Sequence, residues 1–288
     1  MPMNPRLLRP LAKARTLYFN GAVDSNWNTL GNWWTSGAFT TQATTLPTSS
    51  DSVVLSATCE TNSGSAPTVV NLTCNDPNND GLGINIAITV TGNATFNDIS
   101  FNYGTVTGNA TFNDSSFNGA TVTGNATFND NSANYYGDNL ATVTGNATFN
   151  DNSFNYGTVT GNATFNDGSY NNGTVTGNAT FNNISYNYYG TVTGDATFNG
   201  SSYNGSDSIV GGDATFNNSS VNAATVTGNA TFNGSSFNDY GSVTGDATFN
   251  DGSINFGDVG GTATFTGSAC NDGGTAGEFV PNPPPSCP

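Results

Sequence analysis

Thr105-Val106-Thr107-Gly108-Asn109-Ala110-Thr111-Phe112-Asn113-Asp114-Ser115-Ser116-Phe117-Asn118-Gly119 is one turn of this chain, and its spacing decides the fold. Large apolar residues fall at Val106, Phe112 and Phe117, then again at Val122, with polar and small residues alternating between them. Alternation is the period of a strand, whose side chains point to opposite faces in turn. β-Branched and aromatic residues fill the runs, and Gly, Asn and Asp fill the breaks. Three apolar anchors per turn predict three short strands joined by three tight corners. Each coil is then roughly triangular, with Val106, Phe112 and Phe117 pointing inward and Ala110 beside Phe112.

The phrase Ala-Thr-Phe occurs eleven times, its phenylalanines at 96, 112, 128, 149, 165, 181, 198, 216, 232, 249 and 265. The steps are 16, 16, 21, 16, 16, 17, 18, 16, 17 and 16 residues. A short fixed period signals a solenoid, in which one coil buries its apolar side only when neighbours stack on it. The expected fold is an all-β, single-stranded parallel β-helix (β-solenoid) of eleven coils over residues 89–270, on the order of 50 Å long at the usual strand spacing. Right-handed winding is expected from the preference of parallel connections.

Stacking turns positions into columns. The valines run from Val90 to Val259 and the phenylalanines from Phe96 to Phe265. A third, mixed column reads Phe101, Phe117, Ala133, Phe154, Tyr170, Tyr186, Tyr203, Val221, Phe237, Ile254 and Cys270, and is expected inside. Asparagine follows every member of it, which predicts a ladder of side-chain amides at a corner. The longer steps insert Tyr135-Tyr136-Gly137-Asp138-Asn139, Tyr188-Tyr189 and Ser206-Asp207 at one corner. One edge of the prism therefore carries tyrosine-rich loops, and loops on one side of a solenoid often make its contacts.

All four basic residues (Arg6, Arg9, Lys13, Arg15) lie in the first fifteen positions, residues 16–288 carry all 20 acids, and there is no histidine. Such a surface repels nucleic acid and anionic membranes, so neither is an expected partner. Ala126-Thr127-Phe128-Asn129-Asp130 is similar to a pentapeptide repeat, but that family builds four-sided coils that a 16-residue step does not fit. Catalysis on a β-helix needs a base, or a carboxylate tuned by Arg, Lys or His, and the repeats hold none of these three. The expectation is a non-enzyme without cofactors. Asp98, Asp114, Asp130, Asp151 and Asp167 form a column in which calcium would relieve like-charge repulsion; the alternative is a row of solvated turn residues.

Four cysteines form two close pairs, Cys59/Cys74 and Cys270/Cys287. An even count beside both ends of the solenoid predicts two local disulfides and an oxidising compartment, outside the cell or on its surface. Each would close a short loop, contributing roughly 3 kcal/mol. Residues 1–17 read as a basic, disordered lead segment without the apolar core of a secretion signal, and no transmembrane stretch follows. Residues 18–88 read as an N-terminal β-rich cap and 271–288, ending Pro281-Asn-Pro-Pro-Pro-Ser-Cys-Pro288, as a stiff proline linker. The chain therefore reads as part of a longer protein.

The cap holds all three tryptophans in Asn26-Trp27-Asn28-Thr29-Leu30-Gly31-Asn32-Trp33-Trp34, followed by Leu46-Pro47 and Asp51-Ser52-Val53-Val54-Leu55. This pattern resembles the leading segment of large bacterial surface and autotransporter-type β-helix proteins. The resemblance implies a β-helix cap, with the tryptophans as its core, on a structural or adhesin-like exoprotein. Pro67 to Thr73 and Ile84 to Val90 would then be irregular first coils. A glycan or a protein surface is the expected partner. The alternative function is ice binding. Thr105/Thr107, Thr121/Thr123, Thr142/Thr144, Thr158/Thr160, Thr174/Thr176 and Thr191/Thr193 place two parallel threonine rows on one face, similar to the Thr-x-Thr array of β-helical antifreeze proteins. The rows break at Ser208/Val210 and Asp258/Gly260, and Thr111/Asn113 with its equivalents makes a second face just as regular.

Overall fold

The computed structural model describes residues 14–60, 67–75, 87–135, 137 and 141–288. It is a parallel β-solenoid with coils of about 16 residues. The quoted coil folds into three short strands, Thr105–Val106, Ala110–Phe112 and Phe117–Asn118. Each pairs in parallel with its equivalent one coil away, in register: Val106 with Val122, Phe112 with Phe128, Asn118 with Asn134. The valine and phenylalanine strands merge into one continuous 27-stranded sheet, and the third strands form a separate 11-stranded sheet. There are therefore three walls, named below after the valine, the phenylalanine and the asparagine that each turns inward.

Val106, Ala110 and Phe112 point inward as expected, and their columns are buried throughout. The Phe rings stack from Phe96 to Phe265 with centroids 4.7–4.9 Å apart and planes within 10° of parallel. That spacing is the strand repeat itself, so the rings are held at the pitch of the backbone.

The third wall corrects the sequence expectation. Its aromatic column faces outward and the asparagines that follow it face inward: Phe117 is half-buried and Asn118 wholly enclosed. The reason lies in the corner before it. Asp114 and Ser115 both adopt positive φ, 53° and 64°, and they turn the corner without shifting the parity of the chain. Ser116 and Asn118, four and six residues after Phe112, therefore share its inward side, and Phe117, five after it, faces out. Eleven amides, Asn102 to Asn271, are linked by ten Nδ2–H···Oδ1 bonds of 2.8–2.9 Å. Buried polar groups are tolerated because they are bonded. Several of the serines beside them accept a backbone N–H from the neighbouring coil, as Ser132 Oγ does from Ser116 N at 3.1 Å.

A second ladder, not expected, runs along the outer side of the phenylalanine wall. Asn113 Nδ2 donates to Asn97 Oδ1 at 2.8 Å, and the series continues to Asn250. Its donors point toward the N-terminal coils, whereas those of the inner ladder point toward the C-terminal ones. The two amide columns therefore oppose each other's dipoles.

The cap is continuous with the solenoid. Thr16–Phe19, Ser52–Leu55 and Leu72–Cys74 stack in parallel and lead in register onto Ala94–Phe96, so the chain reaches about 13 turns rather than eleven. Trp33–Trp34 pairs antiparallel with the first strand and covers its edge. Trp27 and Trp33 are buried edge-to-face with centroids 4.6 Å apart, which makes them cap core. Arg15 grips Asp51 with two bonds of 2.9 and 2.7 Å. Positions 1–13 of the lead segment and 84–86 of the first coils lie outside the described residues.

At the other end the expected linker is partly built into the fold. Thr275–Val280 pairs in parallel with Asp258–Phe265, and Asn271 bridges to Ser286. Cys270 is bonded to Cys287 as expected. The expected Cys59–Cys74 bond is not formed: both are buried free thiols, their pKa values pushed up by burial. Cys74 occupies the place of Phe96 in the inner column, so its role is packing.

Candidate functional site

Each wall presents a different outer surface. On the valine wall both threonines of Thr-Val-Thr point out. Thr68, Thr89, Thr105, Thr121, Thr142, Thr158, Thr174 and Thr191 are in register. The partner row contains Thr107, Thr123, Thr144, Thr160, Thr176 and Thr193, all exposed. Adjacent strands and alternate residues give a grid of about 4.8 by 6.7 Å. The first row is interrupted at Ile209, which is 46% exposed, and the second at Gly211, and both resume at Thr225 and Thr227 in the next coil.

The phenylalanine wall carries an unbroken threonine row from Thr73 through Thr95 to Thr264. It is flanked by the outer amide ladder on one side. On the other, Asn109 N–H donates to Asn93 Oδ1 at 2.9 Å, a pattern repeated along the row. Two walls thus carry regular threonines, and the one without insertions is the more complete.

The carboxylate column stands at the corner between the phenylalanine and asparagine walls. Asp98, Asp114, Asp130, Asp151 and Asp167 have φ of 51–53°. Where the column changes residue it keeps the conformation, at Asn183 (49°), Gly200 (70°), Asn218 (62°) and Gly234 (66°). Asp, Asn and Gly are the residues that tolerate this region, so the backbone accounts for the column. Among the described residues, no three His, Cys, Asp or Glu side chains are grouped to hold a metal ion.

The asparagine wall is the irregular one. Its outward column stacks Phe101 on Phe117 at 5.0 Å and Phe154 on Tyr170 at 5.2 Å. Two residues further along each coil lies a second outward row, Tyr135, Tyr156, Asn172 and Tyr188 in successive coils. Tyr156 packs against Tyr135 at 5.1 Å and edge-on against Tyr170 at 6.0 Å. Tyr188 and Tyr189 meet edge-to-face at 4.5 Å and are 49% and 55% exposed. Tyr156, Tyr170, Asn172, Tyr186, Tyr188 and Tyr189 enclose an open groove of about 410 Å³. Burial, and then the hydrogen bond to Tyr156, push the Tyr170 pKa up. The hydrogen bond to Tyr188 does the same for Tyr189. Both phenols therefore stay neutral at physiological pH. The tyrosine insertions fall at the expected edge, the longest lying partly outside the described residues.

Sequence reasoning found the loop tyrosines and missed the groove, because it turned the aromatic column inward. The available signal was the asparagine: an enclosed ladder and an adjacent inward ring cannot share one strand face. The chain matches no protein-family model, and no curated protein or solved structure matches it. No helix among the described residues is long and apolar enough to cross a membrane.

Proposed function

We propose that this chain is a non-catalytic, rod-like module of an exported bacterial protein, structural and adhesin-like, which turns its asparagine wall toward a partner. The observation that carries the reading is the difference between the walls. Two are near-uniform and polar, as spacing elements require, whereas the third exposes stacked aromatic rings that contribute nothing to the interior. Exposed aromatic surface of this kind marks contact sites. The disulfide at Cys270–Cys287 supports an oxidising location, and the leading tryptophan segment supports kinship with surface β-helix proteins. The absence of Lys, Arg and His from residues 16–288 supports a module without acid–base chemistry.

A second reading rests on the valine wall, whose register-locked threonine grid supports ice binding in the manner of Thr-x-Thr antifreeze proteins. The interruption at Ile209 and Gly211, and the equally regular threonines on the neighbouring wall, weigh against it. Nanolitre osmometry on the full chain decides. Ordinary disc-shaped crystals without a freezing gap are expected, together with rods of about 60 Å by electron microscopy. Shaped crystals with a gap that Thr158→Lys with Thr160→Lys abolishes would transfer the function to the threonines.

A further inference from the structure

The outward row Tyr135, Tyr156, Asn172, Tyr188 lacks a ring at one place. Asn172 stands where the coils on either side carry tyrosine; its N–H bonds to Asn155 O at 2.8 Å, as Tyr188 N–H bonds to Asn171 O at 3.0 Å. The backbone is unchanged and only the side chain is smaller, so the row has a notch walled by Tyr156 on one side and Tyr188 on the other. The Asn172 side-chain oxygen at its floor is shielded from solvent and has no hydrogen-bond partner. An acceptor left in that condition costs about 1–3 kcal/mol, and a donor from outside recovers it when the Asn172 side chain, only partly buried as a whole, turns its oxygen into the groove.

We infer that this notch is a binding site for a neutral, pyranose-containing glycan, with one sugar ring seated between the tyrosines and a hydroxyl donating to Asn172. The inference rests on the module reading above and names its partner. Three observations select the class. Flat aromatic walls suit the apolar C–H face of a pyranose, and convergent polar atoms in an otherwise apolar groove fix orientation. The orphan atom is an acceptor, so the ligand must bring a donor, which every sugar hydroxyl is. The chain beyond Arg15 carries acids and no base, so uronic, sulfated and sialylated glycans are repelled.

The neighbouring surface extends the site. Tyr186 also borders a second cavity of about 470 Å³, lined by Asn152, Asp167, Gly168, Asn183 and Ile184. This open cavity lies over the left-handed corner and mixes apolar and polar lining, with Asn183 Nδ2 donating to Asp167 Oδ1 at 3.2 Å. A second sugar unit has amide and carboxylate partners there. Ligands longer than a single residue should therefore bind more tightly than monosaccharides.

The test is saturation-transfer NMR and calorimetry on the full chain with cellohexaose, chitohexaose and mannohexaose, and with hexagalacturonate as the anionic probe. At least one neutral hexasaccharide is expected to bind, with its monosaccharide weaker and hexagalacturonate silent. Tyr188→Ala with Tyr189→Ala, both exposed and outside the core, should weaken binding about tenfold or more, equivalent to about 1.4 kcal/mol. Asn172→Ala should weaken it several-fold, and Asn172→Tyr, which fills the notch, should abolish it. Circular dichroism confirms that each variant keeps its fold. Failure of all three neutral probes, binding that survives Asn172→Tyr, or a preference for hexagalacturonate overturns the inference. The module reading is left standing by any of these, and falls instead to ice shaping or to hydrolysis of a probe.

Discussion

Asn155 donates its side-chain N–H to Asn171 Oδ1 at 2.8 Å, and both residues are wholly enclosed within the solenoid. Asn155 also accepts from Asn134 at 2.8 Å, so it stands mid-column with a partner on each side. Asn155→Ala would leave the buried Asn134 Nδ2–H without its acceptor and Asn171 Oδ1 with only the 3.3 Å bond from Gly173 N–H. An unmet buried group costs about 1–3 kcal/mol, and neighbouring bonds lose mutual polarisation. The expected loss is about 2–4 kcal/mol in denaturant unfolding. An effect below about 0.5 kcal/mol would mean that the ladder is incidental to stability.

The extent to which the fold was legible follows from where parity and hydrophobicity agree. Within Ala110–Phe112 they do, and the sequence alone places Ala110 and Phe112 inside. Across the corner at Asp114 and Ser115 they part: parity carries Ser116 and Asn118 inward, whereas the hydrophobic pattern points to Phe117, which lies on the opposite side. The ladder itself was legible, since an asparagine after all eleven third-column residues is what a stacked amide column requires. Its location was not. The glycan notch was hidden for a related reason: Asn172 is one asparagine among many until the coils are aligned and its neighbours prove to be tyrosines.

Acid should weaken the cap before the coils. The Arg15 guanidinium, together with the Thr48 N–H and hydroxyl, holds the Asp51 carboxyl at about 2, below its ordinary value. A carboxylate with a depressed pKa stabilises the fold fully above the unfolded value near 4. That contribution is lost as pH falls through about 2. Screening at the partly exposed Arg15 limits it to about 1–2 kcal/mol. Asp51→Asn should therefore be less stable than the native chain at pH 6, and the difference should shrink between pH 4 and pH 2. A constant difference in urea titrations across that range would show that the ion pair contributes nothing.

The four cysteines should separate by mass spectrometry. In the native chain none should react with iodoacetamide, because Cys59 and Cys74 are buried with their thiols held protonated, and only the thiolate attacks. Unfolding without reductant should release two alkylated sites, Cys59 and Cys74, while Cys270 and Cys287 stay joined. Zero sites would reveal a Cys59–Cys74 disulfide, and four would remove the C-terminal one.

The acidic column supplies a test that separates backbone from ligand. Asp151 has φ of 52°, a conformation that glycine adopts freely and a β-branched residue resists. It also sits in one column with Asp130 and Asp167, so removing its charge relieves repulsion. Asp151→Gly should leave stability unchanged or raise it by up to about 1 kcal/mol, whereas Asp151→Val should lose about 1–2 kcal/mol. A calcium site makes the opposite demand. If the carboxylates shared a cation, Asp151→Gly would lower the melting temperature, and a chelator would lower that of the native chain to the same value. Because Asn183 and Gly200 take the same corner without a carboxylate, the expected result is a melting temperature indifferent to chelation.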